Sequence, residues 1–239
     1  MKSNLNQLRN WVLLPSLLLL TFCCRKNTDN SPVIEKDINI TGFNKVYAGE
    51  RFNVTVTRGT GFSVKAKGPS NSVNDIDWGV ANNILDIEYN HYQSNRPRVD
   101  ITITLPMLVQ LNLSGAAAGT INGFNTVPNV VRTVLSGAAK CLVNGTGVNT
   151  QIEISGASEL TINGTTESLY GNISGAGKLE AYNLASTEVD LSVSGGSEAK
   201  VKVSDRLFLE ATGGSRVYYK GSPAVKNIQT SGGGQVIQQ

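Results

Sequence analysis

Apolar and polar residues alternate along most of the chain after residue 108, a pattern typical of β-strands that bury one side. The alternation is interrupted by pairs of Ser-Gly or Thr-Gly, each followed by a small residue. These pairs begin at Ser114, Ser136, Ser155, Ser174, Ser194, Thr212 and Ser231. Because strand-like alternation flanks most of the pairs on both sides, each pair is predicted to be a tight corner between two short strands.

The corners are spaced by 22, 19, 19, 20, 18 and 19 residues, which indicates an internal repeat. A β-propeller blade needs about forty residues, and a β-sandwich has less regular strand spacing. A coil of about 19 residues with two or three short strands is instead typical of a parallel β-solenoid. We therefore predict an all-β fold in which residues 109–239 form a parallel β-solenoid, or β-helix, with coils stacked about 4.8 Å apart.

Stacking in register would bring the fourth residue after each corner Ser or Thr into one column. In five consecutive coils this residue alternates between positive and negative charge. The column reads Lys140, Glu159, Lys178, Glu198 and Arg216. Opposite charges on neighbouring strands attract and like charges repel, so the alternation supports the predicted register.

Three coils contain Asn-Gly turns, at Asn122, Asn144 and Asn163, where glycine suits a positive φ. Stacked asparagines of this kind predict an amide ladder. Two residues depart from the inward apolar pattern, namely Gly171 and Lys226. The last coil is polar and incomplete, which is typical of a frayed or capping terminal repeat.

Residues 35–108 lack the corner phrase but contain the strand-like runs "FNVTVT", "FSVKAK", "ILDIEY" and "VDITITL". We predict a β-rich N-terminal region, built either as wider, irregular coils or as a small sheet. In both cases it would cap the first edge of the solenoid, because an open strand edge invites aggregation. Residues 24–34 are predicted to be a tether.

The N-terminus has the pattern of an export signal. Lys2 and Arg9 precede the apolar run "WVLLPSLLLLTF", which ends at Cys23 and Cys24. The run is too short to span a bilayer, so we predict that residues 1–23 are a lipoprotein-type signal peptide. An ordinary cleaved signal with incidental cysteines is the alternative.

Cys24 is the preferred lipidation site, because a small residue, Cys23, precedes it. Cys23 is the alternative, since it has the aliphatic Leu20 three positions earlier but follows the bulky Phe22. The predicted location is therefore the cell envelope, with the exported chain held by its N-terminal lipid, in the outer membrane.

Composition narrows the classes of partner. Removal of residues 1–23 takes two of the 21 basic residues and none of the 18 acidic ones, which leaves 19 against 18. A nearly neutral chain does not suit nucleic-acid binding, which depends on many phosphate-neutralising Lys and Arg side chains. Apart from the predicted lipidation site, Cys141 is the one cysteine downstream of the signal, so no disulfide framework is available.

The segments "GFNKVYAGERFNVTVTRG" and "VDITITLPMLVQLNLSGAAAGTINGF", together with the recurring "SGA", resemble the putative auto-transporter adhesin, head GIN domain family. The resemblance covers roughly residues 38 to 225. It implies a β-helical body on an exported, often lipid-anchored protein, and it implies no catalytic residues.

Catalytic and metal-binding patterns are weak. Glu153 and Glu210 share an outward column three coils apart, which is too dispersed for paired-carboxylate chemistry. The "NDID" stretch at 74–77 could contact Ca²⁺, but it has too few ligands and is better interpreted as a polar turn. His91 is predicted to be a surface residue, and Cys141 a buried free thiol. We predict no catalytic residue, metal or cofactor.

One outward patch suggests ligand binding. It combines lysines with tyrosines in consecutive coils, and its members are Tyr182, Lys200, Lys202, Tyr218 and Lys220. Such a patch suits glycan stacking or an anionic polymer, although a merely solvated face is the plainer interpretation. The sequence therefore favours a non-enzymatic, adhesin-like or scaffolding module that binds a glycan or a host or envelope protein. A carbohydrate-active β-helix enzyme and a self-assembling envelope protein are the alternatives.

Overall fold

The alternating segments form β-strands in the computed structural model, which describes residues 29–124, 130–145 and 147–239. One short helix, α1, spans Ser70–Asn74. The strands are β1 (Val33–Ile38), β2 (Lys45–Ala48), β3 (Asn53–Arg58), β4 (Ser63–Pro69), β5 (Ile76–Ala81), β6 (Ile84–Tyr89), β7 (Asp100–Leu105), β8 (Gln110–Leu113), β9 (Ala118–Asn122), β10 (Val130–Leu135), β11 (Lys140–Asn144), β12 (Asn149–Ile154), β13 (Glu159–Ile173), β14 (Lys178–Val193), β15 (Glu198–Ala211), β16 (Arg216–Lys220), β17 (Val225–Thr230) and β18 (Gln235–Gln238).

The strands stack in parallel as a β-solenoid of about 6 turns with about 19 residues per turn, which confirms the predicted fold. Strands that precede a Ser-Gly corner pair with one another, as β8, β10 and β12 do. Strands that follow the corner form a second stack, which includes β9, β11 and the start of β13. We call the outer sides of these stacks the leading face (before the corner) and the trailing face (after it).

The corner recurs because each coil hydrogen-bonds its neighbour there. At one corner the Gly196 amide donates to the Gly175 carbonyl oxygen at 2.7 Å. Gly195 adopts φ +73, a left-handed conformation that favours glycine. A Cβ on Gly195 would lie 2.7 Å from that same carbonyl oxygen, so the close stacking leaves no space for a side chain.

The first corner uses a residue that the sequence pattern did not identify. Glu50 has φ +56 and takes the place of the corner glycine, and its carbonyl oxygen accepts a hydrogen bond from the Ala116 amide at 2.7 Å. Left-handed φ in a residue with a Cβ costs about 1–2 kcal/mol. The repeat therefore begins before Ser114, in a coil whose corner reads Gly49-Glu50.

The N-terminal region contains both kinds of structure that the sequence left open. β2 and β3 form a coil that stacks on β8 and β9, and β6 and β7 form another coil on its far side. β4 and β1 then extend the trailing face with antiparallel pairing, and β5 pairs antiparallel with β6. The solenoid columns thus continue before residue 109, and antiparallel strands cover their end.

Inside the coils, columns of apolar side chains form the core. Gly171 interrupts one column because its φ of +146 would direct a Cβ into the carbonyl oxygen of Ile152. Cys141 is a buried free thiol, as predicted, and burial raises its pKa to about 12. The Asn122, Asn144 and Asn163 ladder is confirmed, with two side-chain hydrogen bonds of 3.0 Å.

The last coil stacks in register, since β17 pairs with β15 and β18 with β16. Lys226 occupies the register position next to Leu207 but is exposed in this terminal coil, and its Nζ lies 5.8 Å from the centre of the Tyr219 ring. This cation–π contact stabilises a charge at an otherwise apolar position. In the described ranges, no helix has the length and apolar character needed to cross a membrane.

A buried ion pair holds the loop between β6 and β7 against the covering strands. Arg96 donates to Asp75 Oδ2 at 2.5 Å and to the His91 carbonyl oxygen at 2.6 Å, and it lies over the Tyr89 ring at 3.8 Å. The Arg96 side chain is 3% exposed and that of Asp75 16%. Asp75, the residue of the "NDID" stretch that lies between α1 and β5, therefore contributes to structure.

Candidate functional site

The predicted ligand patch lies on the trailing face, because its members occupy outward positions of consecutive strands. Lys200 pairs in register with Tyr218, and Lys202 with Lys220, across β15 and β16. Tyr182 lies on β14, in a stretch where the register shifts between Ala181 and Ala185. The structure thus brings all five residues into one region.

Lys200 is already neutralised within this patch. Its Nζ lies 3.1 Å from Glu180 Oε2 and 3.6 Å from Glu198 Oε1. The hydrogen bond with Glu180, followed by the charge of that carboxylate, raises the pKa of Lys200. Lys200 therefore organises two carboxylates and is a poor candidate for binding an external anion.

Tyr182 and Lys220 form a second internal contact. The Lys220 Nζ lies 4.2 Å from the centre of the Tyr182 ring, and the Tyr182 hydroxyl donates to Gln239 Oε1 at 2.9 Å. Burial raises the pKa of Tyr182. The ring is fixed across the face and presents a flat surface beside a cation.

Lys202 and Lys220 lie directly opposite each other on neighbouring strands. Like charges in this position are destabilising. Within residues 29–124, 130–145 and 147–239, neither ammonium group has a carboxylate within ion-pair distance. An anion bound between them would relieve the repulsion, so this pair is the part of the patch best suited to a negatively charged ligand.

The five residues of the alternating charge column lie next to one another in the observed register, but only some of these neighbours form ion pairs. Lys140 Nζ lies 2.8 Å from Glu159 Oε2, and this hydrogen bond lowers the pKa of Glu159. Lys178 and Arg216 flank Glu198, yet the carboxylate of Glu198 pairs with Lys200. Long lysine side chains reach the adjacent column, which sequence spacing alone could not indicate.

The same column continues into the N-terminal strands. Lys67 of β4 pairs with Asp100 of β7, and Glu35 of β1 pairs with Lys67. Asn53 and Ala118 separate this group from Lys140. The trailing face therefore carries alternating charges at both ends, and the N-terminal group was missed because its strands do not stack in chain order.

A cleft of about 450 Å³ on the leading face was also missed. Tyr47, Asp86 and Asn112 share one outward column there, because β6 stacks on β2 and β2 on β8. Glu50 and Glu88 lie at its corner side. The sequence repeat does not bring these residues together, because the coils do not stack in chain order. The β2 coil lies between the β6 coil and the β8 coil, although β6 comes after β2 in the chain.

The other candidate residues are placed as follows. The side chain of His91 is 79% exposed, and its Nδ1 lies 2.6 Å from Asp75 Oδ1. Cys23 and Cys24 lie outside the described residues. Among the residues that the structure describes, no three His, Cys, Asp or Glu side chains are arranged to hold a metal ion.

Comparison with known proteins gives a consistent result. The model of the family described as "Putative auto-transporter adhesin, head GIN domain" matches residues 42–223. A putative adhesin from Bacteroides fragilis NCTC 9343 has a similar structure, with a TM-score of 0.78, 23% identity, and coverage of 88% of this chain and 99% of that one. No curated protein sequence matches the chain.

Two structures from Parabacteroides distasonis ATCC 8503 are also similar. One is a putative adhesin, with a TM-score of 0.66, 18% identity, and coverage of 88% of this chain and 98% of that one. The other is described as a putative lipid binding protein, with a TM-score of 0.64, 15% identity, and the same coverage of 88% and 98%. At these identities the likeness establishes the shared fold.

Proposed function

Since the chain belongs to the putative auto-transporter adhesin, head GIN domain family, we propose that it is a non-enzymatic, lipid-anchored, adhesin-like protein of the cell envelope. The family description supports an adhesin-like role at the envelope. The N-terminal pattern of basic residues, short apolar run and Cys23-Cys24 supports export and lipid anchoring in the outer membrane.

The pairing of Lys202 with Lys220 beside the Tyr182 and Tyr218 rings is the observation that supports a ligand on the trailing face. A flat sheet lets a long polymer contact several coils at once. Two uncompensated ammonium groups attract negative charge, and the neighbouring rings offer stacking surfaces. The proposed ligand is an anionic glycan on a host or envelope surface.

Charge reversal at this pair tests the ligand proposal. Lys202→Glu together with Lys220→Glu is expected to lower affinity for an anionic polysaccharide, such as heparin or polygalacturonate, at least about tenfold. Lys200 is left intact, because its reversal would break the ion pairs with Glu180 and Glu198. Affinity of the unaltered protein should fall as salt increases, since screening weakens exposed charge interactions.

The matched control reverses Lys36 on β1 and Arg51 at the corner before β3, which are exposed cations near the opposite end. It changes the net charge equally and should leave binding almost unchanged. Equal losses in both double variants would show that net charge alone attracts the polymer and would contradict a localised site. Binding can be measured by titration calorimetry on the mature chain purified in detergent.

Lipid anchoring is tested at the two adjacent cysteines. Cys24→Ala is expected to abolish incorporation of a labelled fatty acid and to release the protein from membranes, whereas Cys23→Ala should retain both properties. The reason is that the modified residue must directly follow the cleavage site. Labelling that persists in Cys24→Ala and is lost in Cys23→Ala would identify Cys23 as the lipidated residue. No labelling of the unaltered chain would contradict lipid anchoring.

A further inference from the structure

The leading face has a different chemistry from the trailing face near the end of the solenoid. A shallow groove of about 270 Å³ lies there across β14, β15 and β17. Its outward side chains form two rows of three, because the register aligns every second residue. The rows are Asp190, Phe208 and Asn227, and Ser192, Glu210 and Gln229.

Phe208 is an aromatic ring at an outward position within this polar array. Its chain neighbours Leu207 and Leu209 are buried, whereas Phe208 is partly exposed. Packing in the hydrophobic core therefore does not explain why an aromatic side chain occupies this position. An exposed ring surrounded by carboxylates and amides is typical of a binding surface, where the ring supplies contact area and the polar groups give orientation.

A second ring lies further along the same row. Tyr170 of β13 pairs with Asp190, which in turn pairs with Phe208. The two aromatic residues therefore occupy alternate strands, about 9.6 Å apart at a spacing of about 4.8 Å per strand. The acidic side chain between them offers only hydrogen-bond acceptors.

These features match the surface of an extended sugar chain. The flat C–H faces of sugar rings stack on aromatic rings, and their hydroxyl groups donate to carboxylates and exchange hydrogen bonds with amides. Asp190 and Glu210 accept, and Asn227 and Gln229 both donate and accept. Two carboxylates in the groove repel an anionic polymer, so an uncharged chain fits better.

We infer that this groove, with Tyr170 and Phe208 as its stacking rings, binds a neutral β-linked polysaccharide whose chain lies along the solenoid axis. An extended β-linked chain presents equivalent ring faces at every second sugar, which suits rings on alternate strands. This site is distinct from the Lys202 and Lys220 pair. This inference rests on the proposed function only in that both assign a ligand-binding role to a face of the solenoid.

The test uses the mature chain in detergent and soluble β-linked glucan, xylan, mannan and chitin oligosaccharides, with an α-linked glucan for comparison. Phe208→Ala and Tyr170→Ala are each expected to weaken binding to one β-linked class about tenfold. Tyr92→Ala removes a ring that is 84% exposed in the loop between β6 and β7, outside both proposed sites, and should leave this affinity unchanged. Asp190→Asn and Glu210→Gln preserve shape and should weaken binding without lowering Tm.

The outcomes separate this site from the proposed anionic site. Neutral-glycan binding that is lost in Phe208→Ala but kept in the Lys202→Glu, Lys220→Glu variant supports the inference, whatever happens with anionic polymers. Two results would overturn it: no binding to any β-linked oligosaccharide, or binding that is unaffected by the Phe208, Tyr170, Asp190 and Glu210 variants.

Discussion

Gly195→Ala is expected to lower the free energy of unfolding by about 3 kcal/mol, because left-handed backbone strain of about 1–3 kcal/mol adds to a steric clash. The φ of Gly195 is +73, and the new Cβ would lie 2.7 Å from the Gly175 carbonyl oxygen. That oxygen accepts the 2.7 Å hydrogen bond from the Gly196 amide, so separating the coils to relieve the clash would weaken it. Urea unfolding followed by circular dichroism measures the loss.

The adjacent residue is a matched control. A Cβ on Gly196 would lie 3.7 Å from the same carbonyl oxygen, an ordinary contact, and other coils carry alanine there, as at Ala157 and Ala176. Gly196→Ala should therefore change the free energy of unfolding by no more than about 0.5 kcal/mol. Similar losses in both variants would mean that the corner tolerates a side chain equally at each position, contrary to the stacking geometry.

Arg96→Ala is expected to destabilise the protein by about 2–4 kcal/mol, because it leaves the Asp75 carboxylate without its buried partner. The variant also removes the donor to the His91 carbonyl oxygen and the contact with the Tyr89 ring. His91→Ala removes the other partner of Asp75, but that side chain is exposed, so a loss of at most about 1 kcal/mol is expected. Thermal and urea unfolding of the two variants give the comparison.

The same ion pair has a pH signature. Burial raises the pKa of Asp75, but hydrogen bonds with His91 and Arg96 and the charge of Arg96 outweigh it, and the pKa lies below the ordinary 3.8. A carboxyl whose pKa is lowered by folding stabilises the protein above its unfolded-state pKa, and this contribution is lost as pH falls through the folded-state value. The difference in stability between the unaltered protein and Asp75→Asn should therefore be full at pH 6 and shrink below pH 3.8. A difference that stays constant down to pH 2 would contradict the assignment.

The trailing face shows how far local pattern predicts a site. Period-two alternation and regular corner spacing indicated that Lys200, Lys202, Tyr218 and Lys220 would be outward neighbours, and the register brings them together. The pattern contained no information on how each charge is compensated. Glu180 and Glu198 neutralise Lys200, because its long side chain reaches both carboxylates.

The leading face illustrates what repeat analysis overlooks. Outward residues before the corner had no shared motif, so neither the Phe208 groove nor the Tyr47 cleft was predicted. For Phe208 a signal existed, namely an aromatic residue at an outward position of a polar column. For Tyr47 there was none, since its column depends on β6 lying outside β2.

The sequence by itself determined the fold class, the register of the coils and the need for glycine at their corners. These follow from recurring physical requirements: alternate side chains must be buried in every coil, and the stacked corners from Ser114 onward leave little or no room for a Cβ on the glycine. Only the tertiary structure decided the order of the N-terminal coils, the Asp75–Arg96 pair and the partners of individual lysines. These features depend on where the chain reverses direction and on which long side chains contact each other between neighbouring columns. Neither produces a repeating pattern in the sequence.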